Sequence, residues 1–222
     1  MKTDVRKYGR TCRFASAFVI CFIPLFISAF VFSAEEKEIN PSEIQETVTG
    51  DIVADAMRNM FAADVALINA GSLGAAELPE KITEDNLRLI VPFESEVVVT
   101  ESLKGSDLRA ALERSVSMLP RRFSGFLQVS GLRFTCDLNR QPGKRVTEIF
   151  IGKGSLKDDK VYTVTTTAFL ASGGGGYSSL RKGKILTEEG VPLGGIVLEN
   201  AVIPKEKTPA GRIKILLPEE KD

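Results

Sequence analysis

The stretch VTTTAFLASGGGGY, residues 164–177, decides how the rest of this chain is interpreted. Its β-branched start predicts a strand. The four glycines at 173–176 predict backbone conformations, or a close approach to a neighbour, that a Cβ atom would forbid. From these residues alone a flexible loop behind a core strand is the simpler interpretation. Strand ends often carry binding sites, however, and Phe169, just before the glycines, favours one.

The overall composition narrows the possible functions. The 222 residues are 43% hydrophobic and 26% charged, which is typical of a globular protein of one or two domains. Basic and acidic residues number 29 each, so the charge balance does not predict a nucleic acid partner. The sequence has no histidine, which removes the Ser-His-Asp and Cys-His arrangements and the usual zinc ligand. We therefore expect no catalytic centre, no metal site and no cofactor in this chain.

Residues 1–34 predict an export segment. Five basic residues precede a nearly continuous apolar run at 14–32, and glutamates follow it at once. We favour cleavage of a signal peptide near Ser33 or Ala34. A retained membrane anchor is the alternative, because the length of the run lies between a long signal core and a short spanning helix. The expected location is periplasmic or extracellular.

Hydrophobic periodicity downstream predicts both helices and strands. Helices are expected to begin behind capping residues at Asn40, Thr83 and Ser106. Residues 196–203 fit either a strand or a helix. The predicted strands span residues 65–68, 97–99, 126–129, 132–138, 146–151, 161–167 and 212–217.

This order of elements predicts a single α+β domain, with helices layered on a mixed and largely antiparallel sheet. We expect a linker at residues 35–42, the domain at 43–217 and a short tail at 218–222. Cys136 lies in an alternating apolar run and is expected to face the core. With the export segment removed it would be the one remaining cysteine, so the domain must be stable without an internal disulfide.

Three element ends carry side chains suited to a planar ligand. Asn69, Phe93 and Phe169 each stand close to a glycine or a proline. Two aromatic rings that face one gap can hold a planar ring between them. An amide can both donate to and accept from the edge of a purine. The chain contains no phosphate-binding loop, dinucleotide fingerprint or nucleophile elbow, so a binding geometry is the remaining signal.

An ordered set of short motifs makes a resemblance specific. The motifs are GDIVADA (50–56), ALINAG (66–71), PF (92–93), GFLQVSG (125–131) and FLASGG (169–174). In this order they resemble the C-terminal domain of the 5′-nucleotidase family, which includes UDP-sugar hydrolases and 2′,3′-cyclic phosphodiesterases, over about residues 43–217. The resemblance implies that family's α+β fold. Family members join this domain to a two-metal phosphoesterase domain, and we expect it to stand alone here.

The resemblance also implies roles for individual residues. Phe93 and Phe169 would stack on the base, Asn69 would contact the base, and Gly173 and Gly174 would belong to the substrate-binding loop.

Three positions depart from the family pattern. Gly74 stands where an arginine faces the phosphate side of the substrate, and Glu43 stands in place of a second arginine. Gly175 replaces the aspartate that holds the ribose hydroxyls. Losing a charge-assisted contact costs about 1.5 to 3 kcal/mol, so the resemblance implies a base site with depleted ribose and phosphate contacts.

Three functions are consistent with this pattern. The first is an exported domain that binds a nucleoside or nucleotide in nucleotide catabolism, without a metal centre of its own. The second is the substrate-binding half of a split 5′-nucleotidase that works with a separate metallophosphoesterase chain. The third is a relic in which Phe93 and Phe169 are only core residues. A solvent-open gap between the two phenylalanines would disfavour the relic.

Overall fold

The computed structural model describes residues 39–218, so the predicted export segment lies outside the described residues. The helices are α1 (Val48–Phe61), α2 (Leu87–Ile90), α3 (Gly105–Val116), α4 (Ala168–Ala171) and α5 (Leu193–Asn200). The strands are β1 (Val65–Asn69), β2 (Val97–Lys104), β3 (Leu127–Ser130), β4 (Leu132–Asp137), β5 (Val146–Ile151), β6 (Gly154–Ser155), β7 (Val161–Thr167), β8 (Lys184–Ile185), β9 (Val191–Pro192) and β10 (Ile213–Leu216). Among these helices none is both long and apolar enough to cross a membrane.

The strands form two sheets. The larger has the order β3-β1-β7-β2-β8, with β9 also paired to β2, and the smaller has the order β10-β4-β5-β6. In the larger sheet β1 and β7 run parallel, whereas β3 and β2 run antiparallel to them. In the smaller sheet β10 is parallel to β4. This arrangement confirms the predicted α+β class with a mixed sheet.

Strand β1 is an interior strand of the larger sheet and is buried on both faces. Val65 and Leu67 point into a core shared with α3 and the smaller sheet, which also contains Cys136, as predicted. Ala66 and Ile68 point the other way, into a core shared with α1 and α5. Because successive side chains of a strand alternate between faces, these two cores cover the larger sheet on both sides. A ligand site on this sheet is therefore expected at the ends of its strands.

The first helix begins later than predicted. Asn40 caps a short 3₁₀ helix, Pro41–Glu43, by accepting a hydrogen bond from the Ser42 amide at 3.0 Å. The α-helix starts only at Val48, where the Thr47 hydroxyl accepts from the Gly50 amide. A single helix from Asn40 was therefore wrong.

A buried glutamine from a distant strand causes this break. The Gln128 side-chain carbonyl accepts from the Thr47 amide at 2.9 Å, and its amide donates to the carbonyls of Ser42 and Gln45 at 3.1 and 2.7 Å. These long-range bonds satisfy backbone groups that a continuous helix would have paired internally. Periodicity within the segment cannot reveal a partner that lies more than 80 residues away.

Two other predicted helix caps were also wrong. The N-cap of α2 is Asn86, whose side-chain oxygen accepts from the Thr83 amide at 2.8 Å. Helix α3 starts at Gly105 rather than behind Ser106. The first amides of α3 donate to the backbone carbonyls of Lys160 and Asp158 at 2.8 and 3.0 Å, so α3 needs no side-chain cap. Residues 196–203, which fitted either state, begin as part of α5.

Substituting Gly50 tests this packing against the expectation from helix propensity. Alanine is normally about 1 kcal/mol better than glycine inside a helix. A Cβ at position 50 would overlap the Gln128 side chain, however, so we expect Gly50→Ala to lower the free energy of unfolding in denaturant titrations. Gly195→Ala in α5 is the matched control, because a Cβ there meets nothing within 4 Å. Equal stabilisation by both substitutions would contradict the role of Gln128.

Glu101 in β2 predicts a pH-dependent stability. Its side chain is fully buried, neither carboxylate oxygen has a hydrogen-bond partner, and burial raises its pKa from 4.5 to about 8. Between these two values the unfolded chain ionises at Glu101 while the folded chain stays protonated, so stability falls as the pH rises through this window and levels off above it. We expect Glu101→Gln to flatten this fall and to raise the Tm at about pH 8 relative to the unmodified protein.

Thermal unfolding from about pH 5 to pH 9 measures this effect. Glu199→Gln, at an exposed position on α5, is the control and should keep the full pH dependence. Parallel stability curves for the unmodified protein and Glu101→Gln would show that Glu101 is not the group responsible.

Candidate functional site

Four chain segments meet at one end of the larger sheet. The parallel strands β1 and β7 both finish there, and the antiparallel strands β2 and β3 both begin there. Because Val65 is paired with Val164, Asn69 at the end of β1 lies level with the first turn of α4. The Thr167 hydroxyl caps α4 by accepting from the Leu170 amide at 3.3 Å, and Phe169 stands in this turn.

These segments enclose an open pocket of about 520 Å³, a volume suited to a small molecule. We call it the edge pocket; it is lined by Asn69, Gly71, Ser72, Phe93, Ser95, Glu96, Ser124 and Phe169. The structure thus brings the three predicted side chains Asn69, Phe93 and Phe169 to one cavity. Phe93 is 60% exposed and Phe169 is 50% exposed, whereas large apolar side chains are normally buried. Neither ring is a core residue, which disfavours the relic hypothesis.

The Asn69 amide is held in a defined orientation. Its oxygen accepts from the Ser72 hydroxyl at 3.2 Å, and its nitrogen donates to the Ser124 carbonyl in a long contact of 3.4 Å. The side chain is nearly buried, with 7% exposure. Asn69 therefore presents a fixed polar edge to the cavity, with part of its hydrogen-bonding capacity already used by the protein.

The glycine loop, residues 173–176, packs against the Phe169 ring. Gly173 and Gly174 are not among the described residues that line the edge pocket. A Cβ at Gly174 would overlap the Phe169 ring, so this glycine allows the loop to pack directly against the ring. Gly173 supplies a left-handed turn with φ of 92°, a conformation that favours glycine.

Arg114 on α3 joins this loop to the segment that contains the lining residue Ser124. Its Nε and Nη2 atoms donate to the Gly175 carbonyl at 3.2 and 2.9 Å. Its guanidinium group lies 4.4 Å from the centre of the Phe123 ring, next to the lining residue Ser124. The buried Tyr177 makes a second link, because its hydroxyl donates to the Gly125 carbonyl.

Sequence reasoning missed Glu96, Ser124 and Arg114. Glu96 follows Phe93 by three positions, but the neighbouring Glu94 carried the same local signal. Ser124 contributes through its backbone carbonyl, which any residue type would supply. Arg114 lies 61 residues from the loop that it holds, so no spacing rule could have identified it.

A larger cleft lies at the other end of the sheet. Its volume is about 650 Å³ and its lining includes Arg58, Asp64, Lys157 and Lys160. The Asp64 carboxylate is occupied by the Thr163 amide and hydroxyl at 2.9 and 3.0 Å, and Arg58 donates to the Ser130 hydroxyl at 2.8 Å. The described residues that line this cleft include no pair of exposed aromatic rings, so the edge pocket is the better candidate. Across residues 39–218, no cluster of three or more potential ligand side chains could hold a metal ion.

Comparison with known proteins identifies relatives of this chain. The family described as 5′-nucleotidase, C-terminal domain, matches residues 29–182, a range that includes all five predicted site residues. The chain is 32% identical to the trifunctional nucleotide phosphoesterase protein YfkN of Bacillus subtilis, over 78% of this chain and 13% of that protein. It is also 32% identical to mouse 5′-nucleotidase, over 77% of this chain and 33% of that enzyme.

A solved structure extends the similarity to three dimensions. The 5′-nucleotidase precursor from Thermus thermophilus superimposes with a TM-score of 0.69 at 30% identity, over 79% of this chain and 36% of that one. The chain therefore spans about a third or less of each of these relatives.

Removing Arg114 tests how the edge pocket is held together. We expect Arg114→Ala to release the Gly175 carbonyl and to speed amide hydrogen exchange in a peptide that covers residues 168–177, with little change elsewhere. Arg133→Ala is the matched control, because Arg133 lies over the Phe150 ring at the same distance of 4.4 Å but on the smaller sheet. Unchanged exchange in the glycine loop of Arg114→Ala would contradict this positioning role.

Proposed function

Because the chain belongs to the 5′-nucleotidase C-terminal domain family, we propose that it is an exported domain that binds the base of a nucleoside in the edge pocket. The observation that carries this proposal is the pair of half-exposed phenylalanines, Phe93 and Phe169, in one cavity with Asn69. Stacking of a base on an aromatic side chain is worth about 1–3 kcal/mol. A bound base would cover these two apolar rings, whose exposure to water is unfavourable.

This chain offers few contacts to the phosphate group of a ligand. The family resemblance implies an arginine at position 74, where this chain has glycine. Any side chain at that position would overlap the Leu89 carbonyl. Glu43 stands where a second arginine is implied, and its carboxylate is paired with the Arg122 Nε atom at 2.7 Å. A positive charge is therefore replaced at one position by packed backbone and at the other by an acidic group. We propose that the domain binds nucleosides at least as well as their 5′-monophosphates.

A second candidate function is the substrate-binding half of a nucleotidase. The similar proteins are named as a nucleotide phosphoesterase and as 5′-nucleotidases, and this chain corresponds to only 13% and 33% of two of them. Under this hypothesis the metal-dependent hydrolysis of the phosphate ester takes place on a separate metallophosphoesterase chain. Export to the periplasm or cell exterior, proposed from the basic and apolar residues of the first 34 positions, would place this half where extracellular nucleotides are broken down.

Calorimetric titration with adenosine, AMP and UDP-glucose tests the binding function. We expect adenosine to bind, AMP to bind no more tightly, and the double variant Phe93→Ala/Phe169→Ala to lose the signal, because each ring contributes about 1–3 kcal/mol of stacking. Leu89→Ala is the control for removal of an exposed apolar side chain, since Leu89 is 54% exposed and does not line the edge pocket.

Two results would overturn this proposal. Absence of heat with every ligand at millimolar concentration would exclude base binding by the chain alone. Clearly tighter binding of AMP than of adenosine would show that phosphate contacts persist.

A further inference from the structure

Glu96 is an acidic side chain in the wall of the edge pocket, alongside Phe93, Phe169 and Asn69. Its position is fixed by the backbone on both sides. The Glu96 amide donates to the Phe93 carbonyl at 2.9 Å, and the Glu96 carbonyl accepts from the Leu193 amide at 2.8 Å. The carboxylate is therefore carried by the same turn that carries one of the two rings, directly ahead of β2.

The Glu96 carboxylate lacks a partner among residues 39–218. Its Oε2 atom is shielded from solvent and has no hydrogen-bond donor within reach. Among the ion pairs of residues 39–218, none includes Glu96. The neighbouring Glu94 behaves differently, because its carboxylate is paired with Arg88 at 2.6 Å. A shielded acceptor without a donor is costly, but Oε2 is closed to a ligand in the pocket. Oε1 is not among the shielded, unpartnered oxygens of residues 39–218, so it is the carboxylate oxygen that a ligand donor can reach.

The Asn69 amide does not supply a donor to the Glu96 carboxylate. Asn69 already accepts from the Ser72 hydroxyl and donates to the Ser124 carbonyl. A carboxylate can only accept hydrogen bonds, and charge-assisted bonds of this kind are the stronger ones. A base edge offers ring N–H and exocyclic amino groups as donors, and glutamate accepts from the amino kind when it pairs with the N4 amino group of cytosine.

We propose that Glu96 selects ligands whose base carries an exocyclic amino group, by accepting a hydrogen bond from that group while Phe93 and Phe169 contact the faces of the ring. This inference rests on the proposed nucleoside-binding function. It assigns a specificity residue to the edge pocket and names aminopurine or aminopyrimidine nucleosides as the ligand class.

Matched pairs of nucleosides that differ only in the amino group test this proposal. The pairs are adenosine and purine riboside, guanosine and inosine, and cytidine and 2-pyrimidinone riboside. We expect calorimetry on the full chain to show, for at least one pair, a preference of about ten- to a hundredfold for the amino compound. The variant Glu96→Gln should lose most of this preference, and thermal unfolding should show that it remains folded.

Glu94→Gln is the matched control, because it removes an adjacent acidic group that pairs outside the edge pocket. It should keep the preference. Choline is titrated in parallel, since an acidic group beside aromatic rings also suits an organic cation.

The outcomes separate the two proposals. If nucleosides bind in a manner that depends on Phe93 and Phe169 but Glu96→Gln leaves the preference unchanged, the role of Glu96 is overturned and base binding stands. If the unmodified chain shows no preference within any pair, the role of Glu96 is likewise overturned. If no nucleoside binds, or if only choline binds, both proposals fail.

Discussion

The parallel pairing of β1 with β7 is the contact on which the rest of the structure depends. It joins segments about 100 residues apart, with Val65 opposite Val164, and the buried Thr166 hydroxyl reinforces it by donating to the Leu67 carbonyl at 2.9 Å. Parallel neighbours finish at the same end of a sheet. Asn69 and the turn that carries Phe169 are therefore brought side by side, and the antiparallel partners of these strands add their own loops at that end.

The sheet around this contact is rigid, whereas the edge pocket at its end is open. Two apolar cores cover the larger sheet, so its strands have little freedom to shift. The loops at its end are held by specific polar contacts, of which those from Arg114 to Gly175 and from Tyr177 to Gly125 are the clearest. Functional side chains on loops above a packed sheet are a general arrangement. Here it allows two phenylalanines to remain exposed without collapsing into the core.

Buried charges serve different purposes in different parts of the chain. Near the C-terminal strand, the Glu46 carboxylate accepts from the amides of Arg212 and Ile213 at 2.9 Å each, and the Arg212 guanidinium donates to Asp55 at 2.7 Å. These groups are satisfied and attach β10 to α1. The Glu101 carboxyl group has no hydrogen-bond partner inside the sheet. Burial raises its pKa, so the group is protonated and the free-energy cost of burying a charge is avoided. Glu96 lines a cavity wall; its Oε2 atom is shielded and unpartnered, and Oε1 is the oxygen that a ligand can reach.

Local pattern in the sequence determined most elements and the identity of the edge-pocket residues that belong to a motif. A short apolar run predicted β1, and alternation predicted β4, β5 and β7, each to within a residue or so; the ordered motifs indicated Asn69, Phe93 and Phe169. Tertiary structure alone decided where α1 begins, which groups support the pocket and which acidic side chain faces it. The physical reason is distance along the chain: Gln128 meets Ser42 across 86 residues and Arg114 meets Gly175 across 61, whereas periodicity and capping report only on neighbours within one or two turns.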